Sequence, residues 1–320
     1  MFLLRRLAFA AIAVWVAASV TFLLAHLAPG GPVVALGGEH GAPGQLEEVT
    51  RSYGLDRPLP VIYLDYISRL ARGDLGFSYR AQLPVASLIL ERMPVTLGIM
   101  IPAILLAGCG GVVLGMASLP TTTRPRRLIG AGLAGLHALP SFVAAGVLVL
   151  VFSLWLGVLP VQGISDPRGA PMTPGQEMIA WLRHLALPVA ALALHQITFM
   201  ALLTRVRVAE EMTRPYAVAV RAKGASLRRT RWRHALPNAL LPILTLLGAR
   251  LGAFVGGTMV IETIFALPGI GRLAVTSAIA RDHPTVIGIV VVACAAVILV
   301  NAIVDVLAMR LDPRIGAARA

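Results

Sequence analysis

Apolar residues run through this chain in long blocks, separated by short segments rich in arginine, proline and glycine. Six blocks, roughly 8–28, 97–118, 132–157, 185–203, 243–262 and 286–308, approach or exceed the ~20 residues that a helix needs to cross a hydrocarbon core. Within lipid every backbone polar group must be satisfied inside its own segment, so each block is predicted as a transmembrane helix. The fold class is therefore an all-α polytopic membrane protein with six transmembrane helices. The first block follows Arg5 and Arg6, as a signal peptide would. Its apolar stretch is longer than a signal core of roughly 7–15 residues, and Ala25-His26-Leu27-Ala28 lacks the small-x-small cleavage pattern, so it reads as an uncleaved span.

The segments between the blocks carry their own patterns. Residues 30–95 contain the turn sequence Gly54-Leu55-Asp56-Arg57-Pro58, then Tyr63, Tyr66, Ile67 and Leu70 at helical spacing, which predicts a surface helix. The length of this first loop suits a gate or a partner-facing element as well as a plain connection. Residues 158–184 hold Pro160, Pro167, Pro171 and Pro174 and predict an irregular loop. After the fourth block, Thr213 is an N-cap candidate ahead of Pro215. A short helix then runs to Lys223, where Gly224 ends it. A second short helix is expected from Ser226 to about Ala235, broken by Leu236-Pro237 ahead of the fifth span. Such a helix–glycine–helix elbow protrudes, and its shape suits docking.

Composition confirms the solvent and charge fixes the orientation. The chain is 57% hydrophobic and only 13% charged, with a formal net charge of +13, against about 25% charged residues in ordinary soluble domains. Lys223 is the only lysine. With the N-terminus inside, the inner segments collect 17 basic residues, nine of them between Arg205 and Arg233, against only Glu210, Glu211 and Asp312. Both termini are thus expected in the cytoplasm, and the basic excess is a topology signal needing no nucleic acid. Along the chain this divides into 1–95 (first span and long external loop), 96–310 (five-helix core containing the loop at about 204–242) and 311–320 (cytoplasmic tail). Cys109 and Cys294 lie inside apolar blocks without metal-ligand spacing and read as packing residues.

Polar groups at membrane depth are costly and mark interior or pathway positions. His195 and Gln196 fall in the fourth span with Thr198, Arg250 in the fifth, and Asn301 and Asp305 one turn apart in the sixth. Arg250 is expected to face the bundle interior or a water-filled path, paired with Asp305 or Glu262. His195 is expected to make an interhelical hydrogen bond. Gly111 and Gly115, and the row Gly248, Gly252 and Gly256, suit close helix packing, with Gly256-Gly257 a candidate flexing point.

No catalytic or nucleotide-binding motif is present. There is no G-x-x-x-x-G-K-[ST], H-E-x-x-H, C-x-x-C or G-x-S-x-G, so energy for uphill movement must come from another chain or an ion gradient. An ion-coupled secondary transporter would require coupling carboxylates near the midplane, which six spans with few acids do not favour. A membrane anchor or assembly protein using the basic loop on lipid is a further alternative.

The loop itself resembles a known family. Ala219-x-x-x-x-Gly224, followed after nine residues by His234-Ala235-Leu236-Pro237, is similar to the EAA loop of binding-protein-dependent ABC import permeases. Val218, Val220 and His234 depart from that consensus. Arg221-Ala-Lys-Gly-Ala225 and Arg233-His-Ala-Leu-Pro-Asn238 instead resemble the dipeptide/oligopeptide/nickel branch, B-type subunit. Further similarities run along the chain: Tyr53-Gly-Leu-Asp-Arg-Pro58, Gly73-Asp-Leu-Gly76, Arg92-Met-Pro-Val-Thr-Leu97, Glu262-Thr-Ile-Phe265 with Pro268-Gly-Ile-Gly271, and Arg281-Asp-His-Pro284. Gly31 and Arg250 depart from the pattern.

The resemblance implies a MetI-like type I ABC importer permease fold in the bacterial cytoplasmic (inner) membrane. It implies pairing with a second homologous permease, two cytoplasmic ATPase subunits and an external solute-binding protein, with ATP and Mg held by the ATPases and no cofactor or metal in this chain. Substrates would be dipeptides, oligopeptides, glutathione-like peptides or nickel chelates. Tyr216, Ala219, Ala222, Lys223, Gly224, Ala225, His234, Ala235, Leu236, Pro237 and Asn238 would form the ATPase-docking loop.

Overall fold

A computed structural model describes residues 2–27, 56–119, 124–164 and 173–311. The helices are α1 (Phe2–Leu27), α2 (Leu59–Ala71), α3 (Val85–Ala117), α4 (Arg124–His137), α5 (Ser141–Leu148), α6 (Pro174–Thr213), α7 (Pro215–Ala222), α8 (Leu227–Arg229), α9 (Leu236–Ala249), α10 (Leu251–Ile264), α11 (Ile270–Ile279) and α12 (His283–Leu311). Widened π-type turns extend α5 through Val149–Trp155 and link α8 to α9 through Thr230–Ala235. The only β-pairing among the described residues is an isolated bridge from Phe77 to Pro84.

Four helices are long and apolar enough to cross a membrane, and six spans result if each of two bent pairs counts as one. The bent pairs are the third and fifth blocks, which the apolar pattern predicts as continuous. The third turns by 105° between Leu128–His137 and Ser141–Trp155. Pro140 stands there in extended geometry, without an N–H and unable to continue α4. The fifth bends by 56°. It does so at Arg250 (φ −87°, ψ −2°) and not at Gly256-Gly257, through which α10 runs unbroken. The proline-rich stretch is also shorter than expected, because Pro174 opens α6 at its first helical position and the Thr173 N–H donates to Gln176.

By internal packing the chain forms two units, Met1–Thr96 with Pro268–Leu299, and Leu97–Leu267 with Val300–Ala320.

In the first unit, Ala18, Phe22 and Ala25 of α1 bury against Ile287 and Val291 of α12. Ile62, Tyr63, Tyr66 and Leu70 of α2 lie against this core, so the expected surface helix rests on its own bundle. Phe22 stacks on Tyr66 with ring centroids 5.4 Å apart, and the Ser19 and Tyr63 hydroxyls are 2.7 Å apart. Burial, and secondarily Tyr63, push the Tyr66 phenol up to about 12. The segment after α2 is anchored at Asp282, which is buried beside the start of α12. Its carboxylate accepts from the Ser78 hydroxyl, the Tyr79 N–H and the Thr285 hydroxyl. This is the pairing that a buried carboxylate requires.

In the second unit the 40-residue α6 is the central element, packed by α4, α5, α9 and α10. Gly111 and Gly115 lie against Met200, Ala201 and Thr204, so the expected glycine row does allow backbone approach. The row in the fifth block divides. Gly248 faces Asn301 and Val304, whereas a side chain on Gly252 or Gly256 would meet open space. Cys109 and Cys294 are free.

Candidate docking elbow and intramembrane cluster

The elbow begins where α6 stops. The Thr213 hydroxyl donates to the Glu210 carbonyl, so it closes α6 and does not cap the next helix. The N-cap of α7 is Arg214, one residue later, with Pro215 at the first helical position. Glu211 holds the corner from both sides. It accepts from the Tyr216 hydroxyl at 2.6 Å and pairs with Arg214 at 2.9 Å. Burial raises the Tyr216 pKa, and the hydrogen bond to Glu211 raises it further.

Gly224 does end α7, at φ +88°. Its N–H donates to the Arg221 carbonyl, and the Ala225 N–H reaches back to Val220. These two bonds make a Schellman cap, which needs the left-handed geometry that glycine adopts at least cost. Ser226 then caps α8 through its hydroxyl, which accepts from the Arg229 N–H.

The expected break at Leu236-Pro237 is absent. Thr230–Ala235 widens into π-type turns and runs directly into α9. Proline lacks the donor that an α-helix would use and clashes with the carbonyl one turn back. A widened turn removes both problems. Asn238 donates to the His234 carbonyl at 2.9 Å, partnering a backbone oxygen within the widened turn.

Burial sorts the expected docking residues into two sets. Ala219, Ala222, Lys223, Gly224, Pro237 and Asn238 are exposed; Tyr216, Ala225 and His234 are half-buried. Ala235 and Leu236 are buried, as are Ala217 and Thr230, and these anchor the elbow to its own helices. The exposed face also carries three large apolar side chains, Val218, noted in the sequence only as a departure from the consensus, and Leu227 and Trp232, which sequence reasoning passed over. Their signal was the presence of bulky apolar residues among arginines in a segment too short to span.

The intramembrane residues converge only in part. His195 stacks on His137 at 4.7 Å between ring centroids. His137 Nδ1 lies 3.2 Å from the Thr198 hydroxyl. That interhelical contact belongs to His137 and Thr198, and the Nδ1 of His195 is buried with no hydrogen-bond partner. The expectation for His195 is thus corrected, and the participating His137 was missed because it lies near a block's polar end.

Arg250 faces an aromatic ring, its guanidinium carbon lying 3.8 Å above the Phe199 ring centroid. Arginine at mid-membrane costs ~2.5–3.5 kcal/mol on insertion scales, of which a cation–π contact offsets ~0.5–2 kcal/mol. Glu262 is fully buried elsewhere on α10, and Gln196 is buried on α6. Asn301 faces Gly248, while Asp305 is half-buried one turn further along α12. Among the described residues no group of three His, Cys, Asp or Glu side chains is placed to hold a metal.

Comparison with known proteins bears on the whole chain. Residues 110–317 match the profile described as binding-protein-dependent transport system inner membrane component, and residues 1–100 match its N-terminal companion. A Brucella abortus protein provisionally named a peptide transport system permease protein is 35% identical over 315 residues, covering 98% of both chains. The di/tripeptide transport system permease protein of Pseudomonas aeruginosa is 34% identical, covering 94% of each. The oligopeptide transport system permease protein of Bacillus subtilis is 32% identical, covering 92% of this chain and 93% of its own.

Proposed function

Because this chain belongs to the binding-protein-dependent transport system inner membrane components, multi-pass permease proteins of the bacterial inner membrane, we propose that it takes a peptide-class solute inward using ATP hydrolysed on separate subunits. The relatives over nearly its whole length carry di/tripeptide and oligopeptide permease names, which supports the substrate class.

The observation that carries the coupling role is the Schellman-capped elbow. It presents Ala219, Ala222, Lys223 and Gly224 outward on a tip held by Glu211, Tyr216 and Arg214. Two cytoplasmic ATPases would dock there, one on this elbow and one on that of a second homologous permease. An external solute-binding protein would deliver the solute to the outer face. A small rigid knob fixed to the end of a 40-residue helix transmits displacement without dissipating it in loop motion. That is the requirement for a nucleotide-biased two-state device.

Purification from the native membrane tests the reading. The chain should co-elute with two ATPases and a second permease, and proteoliposomes of the complex should take up trialanine only with ATP and the solute-binding protein. Uptake driven by an ion gradient without ATPases would instead identify a secondary transporter.

A further inference from the structure

The bend in the fifth block assembles a cluster that packing alone does not account for. Arg250 sits at the bend, with its guanidinium carbon 3.8 Å from the Phe199 ring centroid. A guanidinium held over an aromatic ring can still present N–H donors along its edge, in the fork geometry that matches a carboxylate. On the same stretch of α6 stands His195, its Nδ1 buried and unpartnered, stacked on His137. Arg250 is only partly buried. A partly buried cation over an aromatic ring and an imidazole with a buried, unpartnered nitrogen thus lie near one bend.

We propose that Arg250, oriented by Phe199 and flanked by the His195–His137 pair, is a carboxylate-binding station that receives the C-terminus of a peptide within the membrane. This rests on the importer reading for the identity of the solute. The site itself follows from the stacked guanidinium. Phe199 is a positioning residue here, since it fixes the plane in which the guanidinium presents its donors. Arg250 makes the contact, and the histidines add donor capacity beside it.

The test uses the complete transporter in nanodiscs, without the solute-binding protein, and two radiolabelled probes, trialanine and trialanine amide, in equilibrium dialysis. Wild-type protein is expected to hold the free acid about tenfold more tightly than the amide, the difference a charge-assisted pair contributes. Arg250→Gln should bind both compounds as weakly as the amide. Phe199→Leu, which keeps the charge but removes the stacking face, should lower the preference for the acid. Should Arg250→Gln fail to assemble, Arg250→Lys carries the test, with an intermediate preference expected from a point charge lacking the fork. An equal affinity of wild type for acid and amide, an unchanged preference in the Arg250 variants, or no saturable binding would overturn the proposal. ATP-driven uptake in proteoliposomes is scored separately. If uptake fails while the acid preference persists, the importer reading falls and the station stands; the reverse pattern removes only the station.

Discussion

The hydroxyl of Tyr216 donates a 2.6 Å hydrogen bond to the carboxylate of Glu211, tying the first turn of α7 to the last turn of α6. Glu211 also pairs with Arg214 at 2.9 Å, so one carboxylate sets the angle of the whole corner. Tyr216→Phe deletes the bond without changing the ring. The partly exposed site reduces the effect, so a loss of about 1 kcal/mol is expected. The clearer readout is coupling, with more ATP hydrolysed per peptide moved in Tyr216→Phe than in wild type. The pH dependence has a definite sign. The folded state holds the Tyr216 proton more tightly than the unfolded chain does. Its contribution is therefore complete below pH ~10, the ordinary tyrosine value, and is lost as pH rises through the raised folded-state pKa. Difference absorbance of the tyrosinate, wild type minus Tyr216→Phe, should show a step above that pH.

Gly224 is a second point of control. A Cβ there would meet nothing within 4 Å, so the cost of replacement is purely one of backbone geometry at φ +88°. Gly224→Ala should cost about 1 kcal/mol. Gly224→Pro cannot reach positive φ and also loses the N–H bond to Arg221, so the cap should open. Proteoliposomes with Gly224→Pro are expected to hydrolyse ATP without peptide uptake. Coupled uptake at the wild-type ratio would mean that the elbow does not transmit the stroke.

The glycines of α3 give a paired comparison within one helix. A Cβ on Gly115 would lie 2.6 Å from the Ala201 carbonyl oxygen, whereas one on Gly108 would meet nothing within 4 Å. Gly115→Ala should lower stability by ~1–3 kcal/mol through overpacking. Gly108→Ala should be neutral or slightly stabilising. Thermal aggregation of the two variants in the same detergent provides the measurement, and equal midpoints would contradict the close approach of α3 and α6.

At the other end of the chain, Asp282 is a buried acceptor with three donors aimed at it. Asp282→Asn preserves shape but replaces one acceptor oxygen with an N–H2 that must face a donor. A loss of ~2–3 kcal/mol is expected, with Ser78→Ala costing less because the freed carboxylate keeps two partners. Proteolysis between Gly73 and Pro84, followed over time, should accelerate in Asp282→Asn first.

How far these features were legible follows from the kind of physics behind each. Span count and the surface helix at Tyr63, Tyr66 and Leu70 depend on burial pattern, which sequence displays directly. Gly224 was legible because a left-handed cap leaves glycine almost no substitutes. The break at Pro140 and the bend at Arg250 were not, because hydropathy sums residue contributions and is blind to backbone direction. The proline at 237 misled for the complementary reason, since its cost falls on an ideal α-helix and the chain takes a wider one. The contacts of Arg250 and His195 stayed hidden because they come from Phe199, which an apolar block would hold anyway, and from His137, which lies near a block's polar end.

The widened turn at Thr230–Ala235 has a consequence for how the elbow can be altered. A π-type turn carries more residues per revolution than the helix it joins, so it works as an offset in phase between the exposed arginine face and the buried side of α9. Removing one residue from it would rotate one against the other by about 100° while leaving the helix continuous. The length of this short stretch is thus a setting in its own right: a chain with every side chain of the tip intact but one residue fewer here would present that tip in the wrong direction.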